Sequence, residues 1–172
     1  MTPEENELSI IGATEYITVD GIQNVPAKID TGADSSAVWA SNIDMKKGGT
    51  LVFTLFDETS PLYTGKKIET TDFRAKLVRS AHGDVQFRYR VILPVVINGK
   101  SFETTFTLAD RSKNNFPVLI GRRTLDGKFI VDVSQMKIKK VVNPNTPKLN
   151  TELQKDPYAF HQKYVNIAKP KS

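Results

Sequence analysis

Ala27-Lys28-Ile29-Asp30-Thr31-Gly32-Ala33-Asp34-Ser35-Ser36-Ala37-Val38-Trp39 is the stretch on which the reading of this chain turns. The run Val25 to Ile29 has the β-branched character of a strand and delivers an aspartate into a tight Thr-Gly turn. A hydroxyl-rich segment then leads back into β-prone sequence at Val38. Each choice suits a carboxylate that must activate water. Asp30 sits at a strand end, where it can be held rigidly. Gly32 lets backbone approach closely because it carries no side chain. Thr31 brings a hydroxyl able to lock the turn. Asp and Gly also populate ordinary β-turns, so the triplet is weak by itself. Its weight comes from the apolar strand before it and the Ala-Asp-Ser-Ser-Ala-Val-Trp continuation after it.

Working outward, the chain up to about Val142 is a series of short strands punctuated by Gly, Asn and Asp. Leu8 to Val19 predicts a first strand ending at Asp20-Gly21. Val38 to Ala40 and Leu51 to Phe56 predict short strands. Phe73 to Arg79 and Val85 to Leu93 flank His82-Gly83-Asp84 as a hairpin, and Val95 to Ile97 and Phe102 to Leu108 flank Asn98-Gly99 as another. Val118 to Ile120, one helical turn at Arg122 to Leu125, and Phe129 to Val133 complete the set. This pattern predicts an all-β fold, a small closed barrel or a sandwich over residues 1–142. Residues 143–172 form a tail. Asn143 to Pro147 has linker composition. Asp156-Pro157 resembles an N-cap with proline at the first helical position, so a short helix is expected through Tyr158, His161, Tyr164, Val165 and Ala168, stopped by Pro170.

The second informative stretch is Phe116-Pro117-Val118-Leu119-Ile120-Gly121-Arg122-Arg123-Thr124-Leu125. Asp30-Thr31-Gly32-Ala33-Asp34 followed by Leu119-Ile120-Gly121-Arg122 resembles the paired signatures of a retropepsin, the single-lobe type of aspartic protease. The run from Ile10 to Val133 is more closely similar to the bacterial and archaeal family named RimK-associated ATP-dependent zinc protease. The shared motifs are Lys28 to Ala33, Gly83 with Arg88 and Arg90, Asp110-Arg111-Ser112, Leu119 to Arg122, and Val131-Asp132. The resemblance implies a closed acid-protease barrel. It implies that Asp30, Thr31 and Gly32 form the catalytic loop, and that Leu119, Ile120 and Gly121 cross behind this loop and hold it. It also implies a structural ion pair between Asp34 and Arg122. Ala33 and Asp34, together with Arg88 and Arg90, are expected to meet the substrate.

Counting adds a constraint. An aspartic protease needs two carboxylates sharing one proton across a water. The chain has one apolar-Asp-Thr-Gly; Asp20-Gly21 and Asp126-Gly127 lack the threonine. A two-fold homodimer is therefore expected, placing Asp30 against its symmetry mate.

Retroviral members close over substrate with a glycine-rich flap. The corresponding region here, about Asp72 to Leu93, has Gly83 alone and carries Arg74, Lys76, Arg79, Arg88 and Arg90. Even spacing puts Arg88 and Arg90 on one face of their strand and Arg74 and Lys76 on one face of theirs. This is either a solvated hairpin or a basic lining that receives an acidic chain. The family's association with a ligase that adds glutamates makes a peptide or protein substrate with acidic or glutamyl tails attractive. The competing expectation is a non-catalytic module on the same fold that holds an acidic partner.

Composition narrows the rest. The chain of 172 residues carries a net charge of +5 and contains no cysteine, which removes disulfides, thiolate metal sites and cysteine nucleophiles. His82 and His161, the two histidines, are far apart and no His-Glu-x-x-His occurs, so no metal is expected. Gly99-Lys100-Ser101 resembles the end of a phosphate-binding loop, but Pro94 replaces its first glycine, so no cofactor is expected. No RNP-like aromatic pair is read from the sequence, so no nucleic-acid partner is expected. The apolar runs are too short to span a bilayer, so no membrane association is expected. The polar start, Met1 to Ser9, predicts a cytoplasmic protein, or a periplasmic one had a leader been removed.

Overall fold

The computed structural model describes residues 7–79, 82–139 and 143–165. It divides into two compact units, Met1–Ile138 and Lys139–Ser172. Among the described residues, the first unit holds ten strands and one helical turn: β1 (Ser9–Val19), β2 (Ile22–Ile29), β3 (Ser36–Met45), β4 (Leu51–Leu55), β5 (Ile68–Thr70), β6 (Phe73–Arg79), β7 (Val85–Ile97), β8 (Lys100–Ala109), β9 (Val118–Ile120), α1 (Arg122–Leu125) and β10 (Phe129–Met136).

The sheet runs β10-β1-β2-β9-β3-β8-β7-β6, and β1 also pairs with β7 through Thr18↔Val96 and Val19↔Val95. That extra pairing joins β1, β2, β9, β3, β8 and β7 into a ring, which is the closed barrel expected. Two turns set its registers. Asp20 (φ 47°) and Gly21 (φ 79°) link Val19 to Ile22, and Asn98 (φ 48°) and Gly99 (φ 76°) link Ile97 to Lys100. Successive positive φ angles define the two-residue hairpin turn whose twist matches the strands, and Asx-Gly tolerates them best.

Three local expectations change. Pro94 does not separate two strands; β7 runs through it for 13 residues. The Pro94 carbonyl accepts from Asp20 N–H at 2.9 Å, on the β1 side. A residue's N–H and C=O point to the same side of a strand, so the missing N–H of Pro94 faces the gap between β6 and β1 and no bond to β8 is lost. Strand β3 is also longer than its apolar stretch, because its polar end pairs with β4 through Asp44↔Val52 and Met45↔Leu51. Strand β5 was not anticipated and pairs with β4.

The barrel interior is apolar. Ile17, Val25, Ala27, Val38, Phe106, Leu108, Val118 and Ile120 are buried and share one core with Trp39 and Phe56. The Trp39 and Phe56 rings meet edge to face with centroids 6.2 Å apart.

The second unit contains α2 (Thr146–Lys155) and α3 (Pro157–Tyr164). Helix α3 starts as expected, with the Asp156 carboxylate accepting from Ala159 N–H at 3.0 Å and proline in its first turn. Helix α2 begins inside the segment read as linker. Proline in its first turn is compatible with a helix start, and Glu152 ties α2 to α3 by accepting from Lys163 and Tyr164, both at 2.8 Å. Those two bonds hold the Glu152 carboxyl below its ordinary range, Lys163 being the larger cause. Ala168 and Pro170 lie outside the described residues. Among the described residues, no helix is long and apolar enough to cross a membrane.

Phe106 is fully buried in the barrel. Phe106→Ala is expected to cost about 3–5 kcal/mol of unfolding free energy, the range for emptying an aromatic core site. A denaturant titration checks this, and a midpoint equal to the parent's would contradict the packing described.

Candidate active site

Asp30 lies where β2 ends, and its position is set by backbone. Its N–H donates to Ile120 O at 2.8 Å, its carbonyl accepts from Ala33 N–H at 3.2 Å, and its carboxylate Oδ1 accepts from Gly32 N–H at 3.0 Å. The last bond orients the carboxylate while the side chain stays partly open to solvent. Parallel pairing of Ala27, Lys28 and Ile29 with Val118, Leu119 and Ile120 brings the two motif strands side by side. This is the crossing expected of Leu119, Ile120 and Gly121.

Gly121 makes the closest approach. A β-carbon there would stand 2.6 Å from Ser35 O and 2.9 Å from Ala33 O. Both are backbone atoms with nowhere to move. Its N–H donates to Ser36 Oγ at 3.0 Å, and Ser36 Oγ shares a 2.6 Å hydrogen bond with Thr124 Oγ1, which also meets Thr104 Oγ1 at 2.8 Å. Ser36 and Thr124 are buried. This hydroxyl chain is the lock that had been expected from Thr31. Thr31 is instead exposed at the tip of the loop, where its carbonyl accepts from Arg122. The signal in the sequence was the run of hydroxyl residues after Asp34, but it does not say which of them meets α1.

Arg122 clasps the loop more than it pairs with acid. Its Nη1 donates to Thr31 O at 3.1 Å and Gly32 O at 2.9 Å, and its own N–H donates to Ala33 O at 2.8 Å. The expected Asp34–Arg122 pair exists at 3.8 Å, yet Arg123, not singled out from sequence, is closer, with Nε 3.1 Å from Asp34 Oδ2. All three side chains are more than half exposed, so these pairs add little stability. Beside the loop lies an open groove of about 690 Å³, lined by Leu8, Leu125, Phe129 and Val131 as well as by Thr31 and Asp34.

The basic hairpin sits on the same site. Arg74 is directly opposite Arg90, and Lys76 directly opposite Arg88. Directly opposed residues share a face, so the four cations form one patch. Lys76 Nζ donates to Ser35 Oγ at 2.8 Å, which brings that patch to the Asp30 loop. Arg111, from the Asp110-Arg111-Ser112 motif, joins it. Burial, and then the charge of Arg88, push the Arg111 guanidinium below its ordinary value. Sequence parity placed each pair on a face of its own strand; the register unites them.

A closed barrel with one Asp-Thr-Gly loop, backed by an apolar-apolar-Gly strand, defines a retropepsin-like chain: one lobe of the aspartic-protease type. Residues 10–141 match the RimB-like family, described as retropepsin-like aspartic endopeptidase RimB, and the chain belongs to that family. Curated relatives include a probable alpha-L-glutamate ligase of Shewanella halifaxensis, 27% identical over 73% of this chain and 29% of the relative. A second, from Desulfotalea psychrophila, is 26% identical over 72% of this chain and 28% of its own length. The chain thus spans less than a third of these relatives. A crystal structure of a Legionella pneumophila protein of unknown function is similar, with a TM-score of 0.56 and 26% identity over 76% of this chain and 97% of that one.

Gly121→Ala is expected to displace the Asp30 loop and to destabilise the barrel by about 1–3 kcal/mol, the cost of overpacking a site that cannot yield. Thermal unfolding and the amide chemical shifts of Asp30 to Ser36 report the two effects. Unchanged shifts would show that the close approach does not position the loop.

Proposed function

We propose that the protein is an aspartic peptidase that acts as a homodimer, each subunit supplying one Asp30. The observation that carries this is the state of Asp30: its backbone and one carboxylate oxygen are fixed, the carboxylate remains accessible, and the loop tip at Thr31 and Gly32 is exposed. The groove beside Thr31 offers apolar lining for a second copy to cover.

In such a dimer, Asp30 and the partner's Asp30 share one proton, because two like charges in contact cannot both ionise. The ionised carboxylate takes a proton from the water between them as that water attacks the peptide carbonyl. The protonated carboxyl donates to the developing oxyanion. Return of a proton to the amide nitrogen then releases the amine.

The substrate in this reading is acidic or carries a glutamyl tail. Arg74, Lys76, Arg88 and Arg90 share one face that Lys76 ties to the loop, Arg111 lies close enough to Arg88 to feel its charge, and no ion pair among the described residues engages any of them. Like charges placed opposite one another cost stability, and an acidic ligand relieves that cost. The curated relatives are named glutamate ligases, which associates glutamate chemistry with longer chains that contain a region similar to this one. The same lining would serve a non-catalytic module that holds an acidic partner. No cofactor is part of either reading.

Asp30→Asn should abolish hydrolysis of an acidic peptide while leaving the melting temperature near the parent's, and sedimentation velocity should show a two-fold species at concentrations where the parent is active. An Asp30→Asn protein that still binds acidic peptide, from a parent that never cleaves it, would establish the binding module instead.

Arg88→Ala with Arg90→Ala should weaken binding of a glutamate-rich peptide far more than that of a neutral one. The difference should shrink as salt rises, since the screening length is only about 10 Å at 0.1 M. Equal treatment of both peptides by parent and double variant would reduce the hairpin to a solvated face.

A further inference from the structure

Six strands place one residue each in a single row. Lys28 of β2 is opposite Leu119 of β9, which is opposite Ala37 of β3, then Thr107 of β8, Arg90 of β7 and Arg74 of β6. Directly opposed residues project from the same face of a sheet. Ala27, Val118, Val38 and Leu108, which alternate with this row, point into the barrel core, so the row occupies the outer face. Asp30 stands two residues beyond Lys28 at the end of β2.

Thr107 is 4% exposed. Its Oγ1 and Arg90 Nε are the buried side-chain polar atoms that find no hydrogen-bond partner among the described residues. That both belong to one cross-strand pair is not the pattern of a structural network, since buried polar groups are ordinarily satisfied. A guanidinium only donates, and a hydroxyl beside it can do the same. The group that completes such a pair is an acceptor carrying negative charge. Ala37, the smallest side chain of the row, stands next to Thr107. The hairpin is tied to the catalytic loop by the Lys76–Ser35 hydrogen bond, which a ligand can displace without opening the sheet.

We propose that Thr107 and Arg90 form a subsite for one carboxylate side chain of the substrate, with the Arg90 charge distinguishing an acidic side chain from a neutral one of equal size and the Thr107 hydroxyl completing the hold on its oxygen. The assignment rests on the acidic-substrate reading above and adds to it a particular position and a particular hydroxyl.

The test uses the full chain carrying Asp30→Asn, so that peptide is bound and not cut. Fluorescence anisotropy is read with a glutamate-rich peptide and a set in which each Glu in turn becomes Gln. At one position the Gln replacement should weaken binding about 10-fold, the loss of one charged hydrogen-bonded contact. Adding Arg90→Gln should erase that discrimination at that position alone. Thr107→Val should weaken binding of the all-Glu peptide several-fold where Thr107→Ser should not, and serves as the second variant should Arg90→Gln fail to fold. If the parent binds the peptide no better than an all-Gln version, the acidic-substrate reading fails and the subsite fails with it. If the parent prefers Glu while Arg90→Gln discriminates as it does at every position and Thr107→Val binds as tightly as the parent, the subsite alone is overturned.

Discussion

The whole site depends on one approach of backbone to backbone. Gly121 lies against the carbonyls of Ala33 and Ser35 closely enough that no side chain fits. From this contact follow the bond from Gly121 N–H to Ser36, the bonds from Arg122 and Arg123 N–H to Ala33 and Asp34 carbonyls, and the bond from Asp30 N–H to Ile120. A loop held by this many main-chain bonds needs no support from Asp30's own side chain. The carboxylate therefore keeps one oxygen on Gly32 N–H and is otherwise available. Rigidity comes from the backbone and the side chain is left accessible.

The hairpin shows a second economy. A flap that closes through glycine relies on backbone freedom. Here Lys76 reaches Ser35 directly, and the remaining cations are left opposite one another. The fold accepts this local repulsion because one of the strands carrying it continues into the barrel: β7 pairs with β8 from Arg90 to Ile97 and with β1 at Val95 and Val96. The opposite face of the same hairpin is apolar and open, with Leu77 and Phe87 largely exposed. The two faces thus differ sharply in character, and the basic one is turned toward the Asp30 loop.

Chemistry and fold meet at β7. Its Pro94 lies between the end of pairing with β6 at Val91 and the start of pairing with β1 at Val95. A residue without an N–H is tolerated there because no strand is present to receive one. The same strand can therefore close the barrel at one end and carry Arg88 and Arg90 over the site at the other.

Local chemistry was enough to read much of this from sequence. Asp20-Gly21 and Asn98-Gly99 are turn signals with a steric cause, and Asp156-Pro157 marks a helix start for an equally local reason. The Asp-Thr-Gly and Leu-Ile-Gly-Arg motifs pointed to the fold through their resemblance to the paired signatures of a retropepsin, although the demand that Gly121 answers is set by Ala33 and Ser35, far away in sequence. Only the tertiary structure decided what long-range register controls. Ser36 meets Thr124 across 88 residues, Lys76 meets Ser35 across 41, and Thr107 becomes the neighbour of Arg90. Parity could place Arg88 with Arg90 and Arg74 with Lys76, but whether the two pairs shared a face depended on the pairing of β6 with β7, where a slip of one residue would have parted them. Nor could it show that Arg123 stands closer to Asp34 than Arg122 does, because adjacent residues of a helical turn point in directions that only the packed turn fixes.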